Sequence, residues 1–358
     1  MKNFLYAIAL LIGTIIGVGI FAIPYVAAQA GFSIALIYLV GLGIIILLVH
    51  LFYAEIVLKT PGKHRLVGYA QKYLGRWGKS IATISSVLGL YGALLAYIIV
   101  AGQFLKAIFG GLAFNWSLIF FLLGALFIFL GLKTIAQAEL FMTLLLLASM
   151  AVIFVFGWNH INWQNLQDLN FSYFFLPYGV ILFALAGATA IPQMGEIVSP
   201  KKLKSAVILG TLIPVALFII FTIVVLGVTG VNTTQEALIG LQQILGPKIM
   251  LIGLIFGILA LITSFLTLGL NLKEIFWYDY KMPKNLAWFL ACFVPFFAFV
   301  FGMRNFIGVI GLVGAILGGI DGLIIATIYG KIKKSWLLPG VLILVFILGI
   351  IYELKILV

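Results

Sequence analysis

Two stretches of this sequence place glycine, threonine and proline where an apolar helix would be expected to continue. They are GTIIGVGIFAIP (13–24) and LFALAGATAIP (182–192). Glycine and proline are poorly suited to a helix interior, so we predict an unwound turn in each stretch. Such a turn leaves free carbonyl groups, which suit a cation or an ammonium group, and free N–H groups, which suit a carboxylate. Together the stretches predict a site for a zwitterion such as an amino acid, although glycines can also serve close helix packing.

Both stretches lie in segments long enough to cross a lipid bilayer. Of 358 residues, 65% are hydrophobic and 8% are charged, and this composition is typical of a polytopic membrane protein. A span needs about 20 apolar residues, and every span should be helical because lipid offers no partner for an unpaired backbone group. We predict eleven helical spans, at 4–28, 33–58, 80–109, 116–132, 138–158, 173–198, 204–230, 247–272, 285–302, 306–329 and 336–354.

The basic residues give an independent test of this arrangement. With the N-terminus in the cytoplasm, the spans place all but four of the 21 Lys and Arg residues on the cytoplasmic side, the four being Lys106, Lys248, Arg304 and Lys355. This positive-inside bias predicts a multi-pass protein of the cytoplasmic (inner) membrane of a prokaryote, with the C-terminus outside. The positions of the basic residues in loops also account for the net charge of +12, so no nucleic-acid partner is predicted. The predicted environment of the protein is the lipid bilayer. No oligomeric state is predicted.

The two unusual stretches also resemble each other. Residues 19–24 and residues 187–192 both read G-x-x-A-I-P, and they lie in the first and sixth spans. Each opens a block of five spans, and because five is odd the second block enters the membrane from the opposite side, which is typical of an inverted repeat in a transporter. We therefore expect one all-α transmembrane domain, with repeats over about 4–158 and 173–329 and an additional eleventh helix over about 336–354.

Three strings resemble the amino acid–polyamine–organocation (APC) superfamily, above all its amino acid/auxin permeases and its hydroxy- and aromatic amino acid permeases. They are GTIIGVGIFAIPYVAAQAG (13–31), YGALLAYIIVAGQ (91–103) and LFALAGATAIPQMGEIVSPKKLKSAVILGT (182–211). The resemblance implies the LeuT-type five-plus-five inverted repeat, with discontinuous helices 1 and 6, and an amino acid permease that works by alternating access. The positions that it implies for contacts with the substrate are Thr14, Gly17, Val18, Gly19, Phe183, Ala184, Gly187 and Thr189.

Tyr97, in the third span, has two interpretations. The resemblance implies that it faces the first break, where its hydroxyl group could bind the substrate carboxylate. It could equally be an aromatic anchor. The other pocket residues that can be named are small or apolar, which favours a neutral or aromatic substrate.

Sodium-coupled relatives imply an ion site between the first break and the eighth span. The matching groups are the carbonyls of Gly13, Ile16 and Ala260 and the hydroxyls of Thr263 and Ser264. Five oxygens without a carboxylate suit a monovalent hard cation, whereas a Thr-Ser pair can also bond back to its own helix. Proton-coupled relatives can use a lysine in the fifth span, and residues 138–157 contain none. Coupling to Na⁺ is therefore favoured over H⁺, with both left open, and no cofactor or metal centre is expected.

Two acidic residues are candidates for gating or proton transfer. Glu196 closes the sixth span, and we predict an ion pair with Lys63 or Arg65 there. Asp321 lies within the tenth span, where an ionisable group is a functional candidate by default. It could relay protons, act in gating, or be a protonated acid bonded to a neighbour.

The sequence argues against other functional classes. It contains no Walker-A motif, and its three histidines and nine acidic residues are too dispersed for a membrane enzyme acting on lipids. Nothing in it resembles a channel filter. The favoured function is a secondary transporter for amino acids, and the alternative is an uncoupled exchanger or facilitator of another small amine.

Overall fold

The computed structural model describes the backbone of residues 2–357. Side chains are described for all of these residues except 132–140, 142–143, 146, 149, 242–243, 248–250 and 356–357. The α-helices are α1 Lys2–Ile15, α2 Gly19–Ala30, α3 Phe32–Lys59, α4 Leu66–Phe109, α5 Ala113–Leu130, α6 Leu132–Trp158, α7 Leu176–Ala184, α8 Ile191–Ile197, α9 Pro200–Thr229, α10 Leu238–Glu274, α11 Lys284–Val300, α12 Phe306–Leu312, α13 Gly319–Lys333 and α14 Leu337–Leu357. A π-helical segment, Val313–Gly318, joins α12 to α13.

The helices follow the order of the eleven predicted spans. Among the described residues, eight helical segments are long and apolar enough to cross a membrane, and α1 with α2 forms a ninth span that is bent. The remaining two predicted spans correspond to α6, with 27 residues, and to α11, a shorter apolar helix of 17 residues. The all-helical membrane fold is therefore confirmed.

Two helices extend beyond the predicted spans. Helix α4 begins at Leu66 rather than near residue 80, and α10 begins at Leu238 rather than near residue 247. Each bends at a glycine with positive φ, 73° at Gly75 and 78° at Gly246, a conformation that other residues adopt only at a cost. Each added segment therefore changes direction where it joins its membrane span.

Small residues allow the central helices to approach closely. A Cβ atom on Gly314 would lie 2.7 Å from the backbone nitrogen of Phe183, and one on Gly179 would lie 2.6 Å from the carbonyl oxygen of Gly311. Helix α7 and the π-helical segment therefore touch through their main chains, as is common in membrane bundles. The outer helices α5 and α14 instead expose leucines such as Leu122 and Leu344, as expected for a surface in lipid.

Candidate functional site

The first predicted break lies between α1 and α2, whose axes meet at 47°. The N–H group of Gly17 donates to the carbonyl oxygen of Ile15 at 2.9 Å and so leaves the helical pattern, in which it would bond Gly13. The hydroxyl of Ser264 in α10 donates to the carbonyl of Gly13 at 2.6 Å and to that of Thr14 at 3.3 Å. The carbonyl groups at the end of α1 are thus turned toward α10.

The second break lies between α7 and α8 and is gentler. Helix α7 ends at Ala184, and one 3₁₀ turn, Ala188–Ala190, precedes α8. The N–H group of Ala186 donates to the carbonyl of Phe183 at 3.1 Å, one residue short of the α-helical pattern. The last carbonyl groups of α7 therefore lack α-helical partners, and so do the first N–H groups of the segment that follows it.

The two breaks touch each other. A Cβ atom on Gly19 would lie 2.6 Å from the Cα atom of Ala184, and one on Gly187 would lie 2.5 Å from Cγ1 of Ile15. Glycine is therefore required at both positions for this approach, because real Cβ contacts are not this short. The structure brings together the backbone groups of opposite polarity that the sequence assigned to a zwitterion.

A cavity of about 930 Å³, including its opening, lies beside the two breaks. Seven of the predicted substrate residues line it, namely Thr14, Gly19, Tyr97, Phe183, Ala184, Gly187 and Thr189. Two others, Gly17 and Val18, do not line it. The cavity is mostly apolar. The hydroxyl oxygen of Thr189 is buried and has no hydrogen-bond partner among the described residues.

Tyr97 explains why Gly17 and Val18 lie outside the cavity. Its side chain is 2% exposed, and its hydroxyl lies within hydrogen-bonding reach of Ser264 and of the Val18 backbone. A Cβ atom on Gly17 would overlap this hydroxyl. Tyr97 therefore lies between the first break and the cavity, and its burial argues against an aromatic anchor at the membrane interface.

The five oxygens of the predicted ion site form one cluster behind Tyr97. The hydroxyl of Thr263 donates to the carbonyl of Ala260 at 3.0 Å and contacts that of Gly13 at 3.4 Å. The hydroxyl of Ser264 contacts the carbonyl of Ile16 at 3.5 Å. The alternative of a bond back to the same helix holds in part for Thr263, whereas Ser264 bonds across to α1. Both hydroxyl residues are almost fully buried.

One end of the bundle, here called the basic end, is held by two ion-pair clusters. In the first, Arg65 Nη2 lies 2.6 Å from Glu274 and 3.2 Å from Glu196, which Lys63 also contacts at 3.0 Å. The predicted pairing of Glu196 with Lys63 or Arg65 is present. Burial opposes the charge of Arg65, but Glu274 and Glu196 together raise the pKa of its guanidinium above its usual value. In the second cluster, Glu55 binds Lys204 and Lys333.

Glu274 is the residue of this end that sequence reasoning missed. It is 3% exposed and accepts hydrogen bonds from Arg65 Nε at 2.8 Å and from Gln193 Nε2 at 3.3 Å. Its signal in the sequence is a pair of adjacent charges, Lys273 and Glu274, directly after a long apolar run. The sequence does not show which segment contacts that pair.

Asp321 lines the cavity on the side nearer the basic end. It accepts a hydrogen bond from Ser85 at 2.5 Å and from Ser86 at 3.2 Å. The two serines were also missed, although they form a pair of adjacent hydroxyl residues within a span, as Thr263 and Ser264 do. Among the described residues, no cluster of His, Cys, Asp or Glu could hold a metal ion.

Comparison with known proteins gives consistent results. Residues 1–356 match the model of the tryptophan/tyrosine permease family. The chain is 27% identical over 291 residues to Tyrosine-specific transport system 1 of Haemophilus influenzae, covering 74% of this chain and 70% of the relative. It is 28% identical over 326 residues to Tyrosine-specific transport system 2 of the same organism, covering 82% and 79%. It is 25% identical to Glutamine transporter 2 of Aliivibrio fischeri, covering 86% and 84%.

A solved structure shows the same fold. The crystal structure of MhsT in complex with L-phenylalanine superposes with a TM-score of 0.75 at 17% sequence identity, covering 97% of this chain and 98% of that one. This neighbour has the LeuT fold, as predicted. The curated relatives are named as transport systems and transporters, so the prediction of an amino acid transporter rather than an enzyme is confirmed. The chain is a multi-pass integral membrane protein that belongs to the tryptophan/tyrosine permease family.

Proposed function

We propose that this protein is a secondary active transporter for a neutral aromatic amino acid, such as tyrosine, in the inner membrane of a prokaryote. The observation that carries the proposal is the contact between the two helix breaks at the wall of one cavity. Two relatives named as tyrosine-specific transport systems and a fold neighbour holding L-phenylalanine support the choice of substrate class.

The two breaks suit the two charges of an amino acid. The start of α2 at Gly19 presents free N–H groups and the positive end of a helix dipole to the carboxylate. The end of α7, from Phe183 to Ala184, presents carbonyls and the negative end of a dipole to the ammonium group. Tyr97 lines the same cavity, and its hydroxyl can complete the hydrogen bonds of the carboxylate.

Alternating access follows from a movement of the two predicted repeats against each other. In the proposed orientation the basic end faces the cytoplasm, in line with the positive-inside rule. The clusters around Arg65 and Glu55 join helices of both repeats, because Glu274, Glu196 and Lys204 belong to the second repeat. Opening the cavity to the cytoplasm therefore requires that some of these ion pairs separate, so we assign Glu196 to an inner gate.

Reconstitution tests the proposal directly. Purified protein in liposomes should accumulate radiolabelled L-tyrosine above the external concentration when a sodium gradient is imposed, and the ionophore that dissipates the gradient should release it. Unlabelled tryptophan and phenylalanine should compete, whereas lysine and glutamate should not. Equilibration without accumulation under both sodium and proton gradients would instead support a facilitator, and failure to move any aromatic amino acid would contradict the proposal.

The oxygen cluster around Ser264 is proposed as the sodium site. Replacing both hydroxyl residues, Thr263→Val with Ser264→Ala, should remove sodium activation of uptake, which we expect to be on the order of tenfold in the unmodified protein. Sodium should also raise the thermal unfolding midpoint of the unmodified protein but not that of the double variant. Thr222→Val is the matched control, because this buried hydroxyl bonds within its own helix. Sodium activation that persists in the double variant would exclude the site.

A further inference from the structure

Asp321 and the adjacent serines form a polar group that the transport scheme above does not use. Ser86 donates to both carboxyl oxygens of Asp321 at 3.2 Å, and Ser85 donates to Oδ1 at 2.5 Å. Among the described residues, no cationic side chain pairs with this carboxyl group. A carboxyl group inside a membrane bundle is costly to bury, so one that lacks a cation and lies on a cavity calls for a functional explanation.

The cavity connects this group to the helix breaks along two facing helices. On α4, the lining residues Tyr97, Ala93, Leu90 and Ser86 follow the spacing of one helix face. On the opposite wall, the lining residues Val313, Leu317, Asp321 and Ile325 recur at intervals of four. The two rows face each other level by level. A Cβ atom on Gly89 would lie 3.5 Å from Leu317, and one turn further along both rows the two serines contact Asp321.

The distance between the two ends of this groove suits an aromatic amino acid. Gly314 marks the level of the second break, because its added Cβ atom would lie 2.7 Å from the Phe183 nitrogen. Asp321 follows seven residues later, which corresponds to on the order of 10 Å along a helix. That length is comparable with an aromatic amino acid measured from its carboxylate to the far edge of its ring.

The groove between the helix breaks and Asp321 is largely apolar along these two rows, and His50 on α3 also lines the cavity, with its Nδ1 bonded to Thr211. Its walls between the breaks and Asp321 are formed by aliphatic side chains and by glycine, namely Leu90, Ala93, Val313, Leu317 and Gly89. Oδ2 of Asp321 accepts one hydrogen bond among the described residues, which leaves acceptor capacity toward the cavity. A flat ring with one O–H or N–H donor at its far end complements this arrangement.

We propose that Asp321 accepts a hydrogen bond from the donor at the far end of the substrate side chain, the phenol O–H of tyrosine or the indole N–H of tryptophan. Ser85 and Ser86 act as positioning residues that orient the carboxyl group. This inference rests on the proposed function and adds to it the basis of side-chain selectivity. Phenylalanine fits the same slot but supplies no donor, so a site built for a donor discriminates against it.

Competition experiments on the unmodified protein give the first test. Tyrosine should inhibit the uptake of labelled tyrosine at a concentration on the order of tenfold lower than phenylalanine or O-methyltyrosine, which lack the donor. Equal inhibition by all three compounds would overturn the inference. If none of them inhibits, and no aromatic amino acid is taken up, the proposed function itself fails, and the two failures are therefore distinguishable.

Variants of Asp321 give the second test. Asp321→Leu should raise the KM for tyrosine on the order of tenfold and leave the KM for phenylalanine unchanged, whereas Asp321→Asn, which keeps an acceptor oxygen, should have a smaller effect. Ser85→Ala should raise the KM for tyrosine a few-fold. Thr327→Val on the same helix is the matched control, since Thr327 bonds to Leu323 within its own helix.

The outcome that contradicts selectivity is an equal effect on both substrates. If Asp321→Asn abolishes accumulation of tyrosine and phenylalanine alike but preserves exchange of both, Asp321 serves cation coupling and the inference is wrong. If Asp321→Leu does not fold, the Asp321→Asn variant and the competition series still decide the matter, because neither changes the volume of the slot.

Discussion

Gly19→Ala is expected to abolish uptake while the protein still inserts into the membrane. The added Cβ atom would lie 2.6 Å from Cα and 2.7 Å from Cβ of Ala184, so the start of α2 must move away from α7. The substrate would then lose hydrogen bonds to its carboxylate, each worth about 1.5–3 kcal/mol. Losing two of them would weaken binding by roughly a hundredfold or more. The measurement is tyrosine binding and uptake by purified, reconstituted protein.

A matched glycine provides the control for this variant. Gly41 lies on the exposed side of α3, and a Cβ atom built there would meet no described heavy atom within 4 Å. Gly41→Ala should therefore behave like the unmodified protein in expression, monodispersity and uptake. If Gly19→Ala also transports normally, the close contact of the two breaks is not needed for binding, and the site is assigned wrongly.

Arg65→Met is expected to cause the largest loss of stability at the basic end. Arg65 is 1% exposed and is the partner of Glu274, which is 3% exposed, so its removal leaves a buried carboxylate without a cation. Breaking a buried ion pair in this way costs about 3–5 kcal/mol. Glu196 is affected less, because Lys63 still contacts it at 3.0 Å. The thermal unfolding midpoint should fall, and uptake should fall with it because the proposed inner gate would no longer close firmly.

A double-variant cycle separates the pair from its surroundings. Glu274→Gln removes the negative charge that Arg65→Met leaves unpaired, so the double variant should be more stable than Arg65→Met alone. Thr222 lies far along α9 and bonds within its own helix, so combining Thr222→Ala with Arg65→Met should give additive effects. The assigned pairing would be contradicted if the double variant, Arg65→Met with Glu274→Gln, were no more stable than Arg65→Met alone.

The parts of this protein that the sequence predicted well are those with a local signal. Each span is a local excess of apolar residues, and the break between α1 and α2 is a local excess of glycine before Pro24. The starts of α4 and α10 were placed too late, because their first segments carry polar residues and lack the hydropathy of a span.

The contacts between distant residues could not be predicted in the same way. Arg65 and Glu274 are 209 positions apart, and Ser85 and Asp321 are 236 positions apart. Hydropathy fixes which residues are at membrane depth, but it does not fix which faces of the helices meet. The contact of Ser264 with α1 could be expected because the resemblance to a known family supplied the pairing of helices, and no such guide existed for Ser85 and Ser86.

A structure of the protein determined with bound L-tyrosine tests the central claim most directly. The carboxylate should lie within hydrogen-bonding distance of the N–H groups at the start of α2, and the amino group should contact the carbonyls at the end of α7. Both helix pairs, α1 with α2 and α7 with α8, should remain interrupted. Tyrosine bound away from both breaks, or a first span that runs through as one continuous helix, would contradict the account.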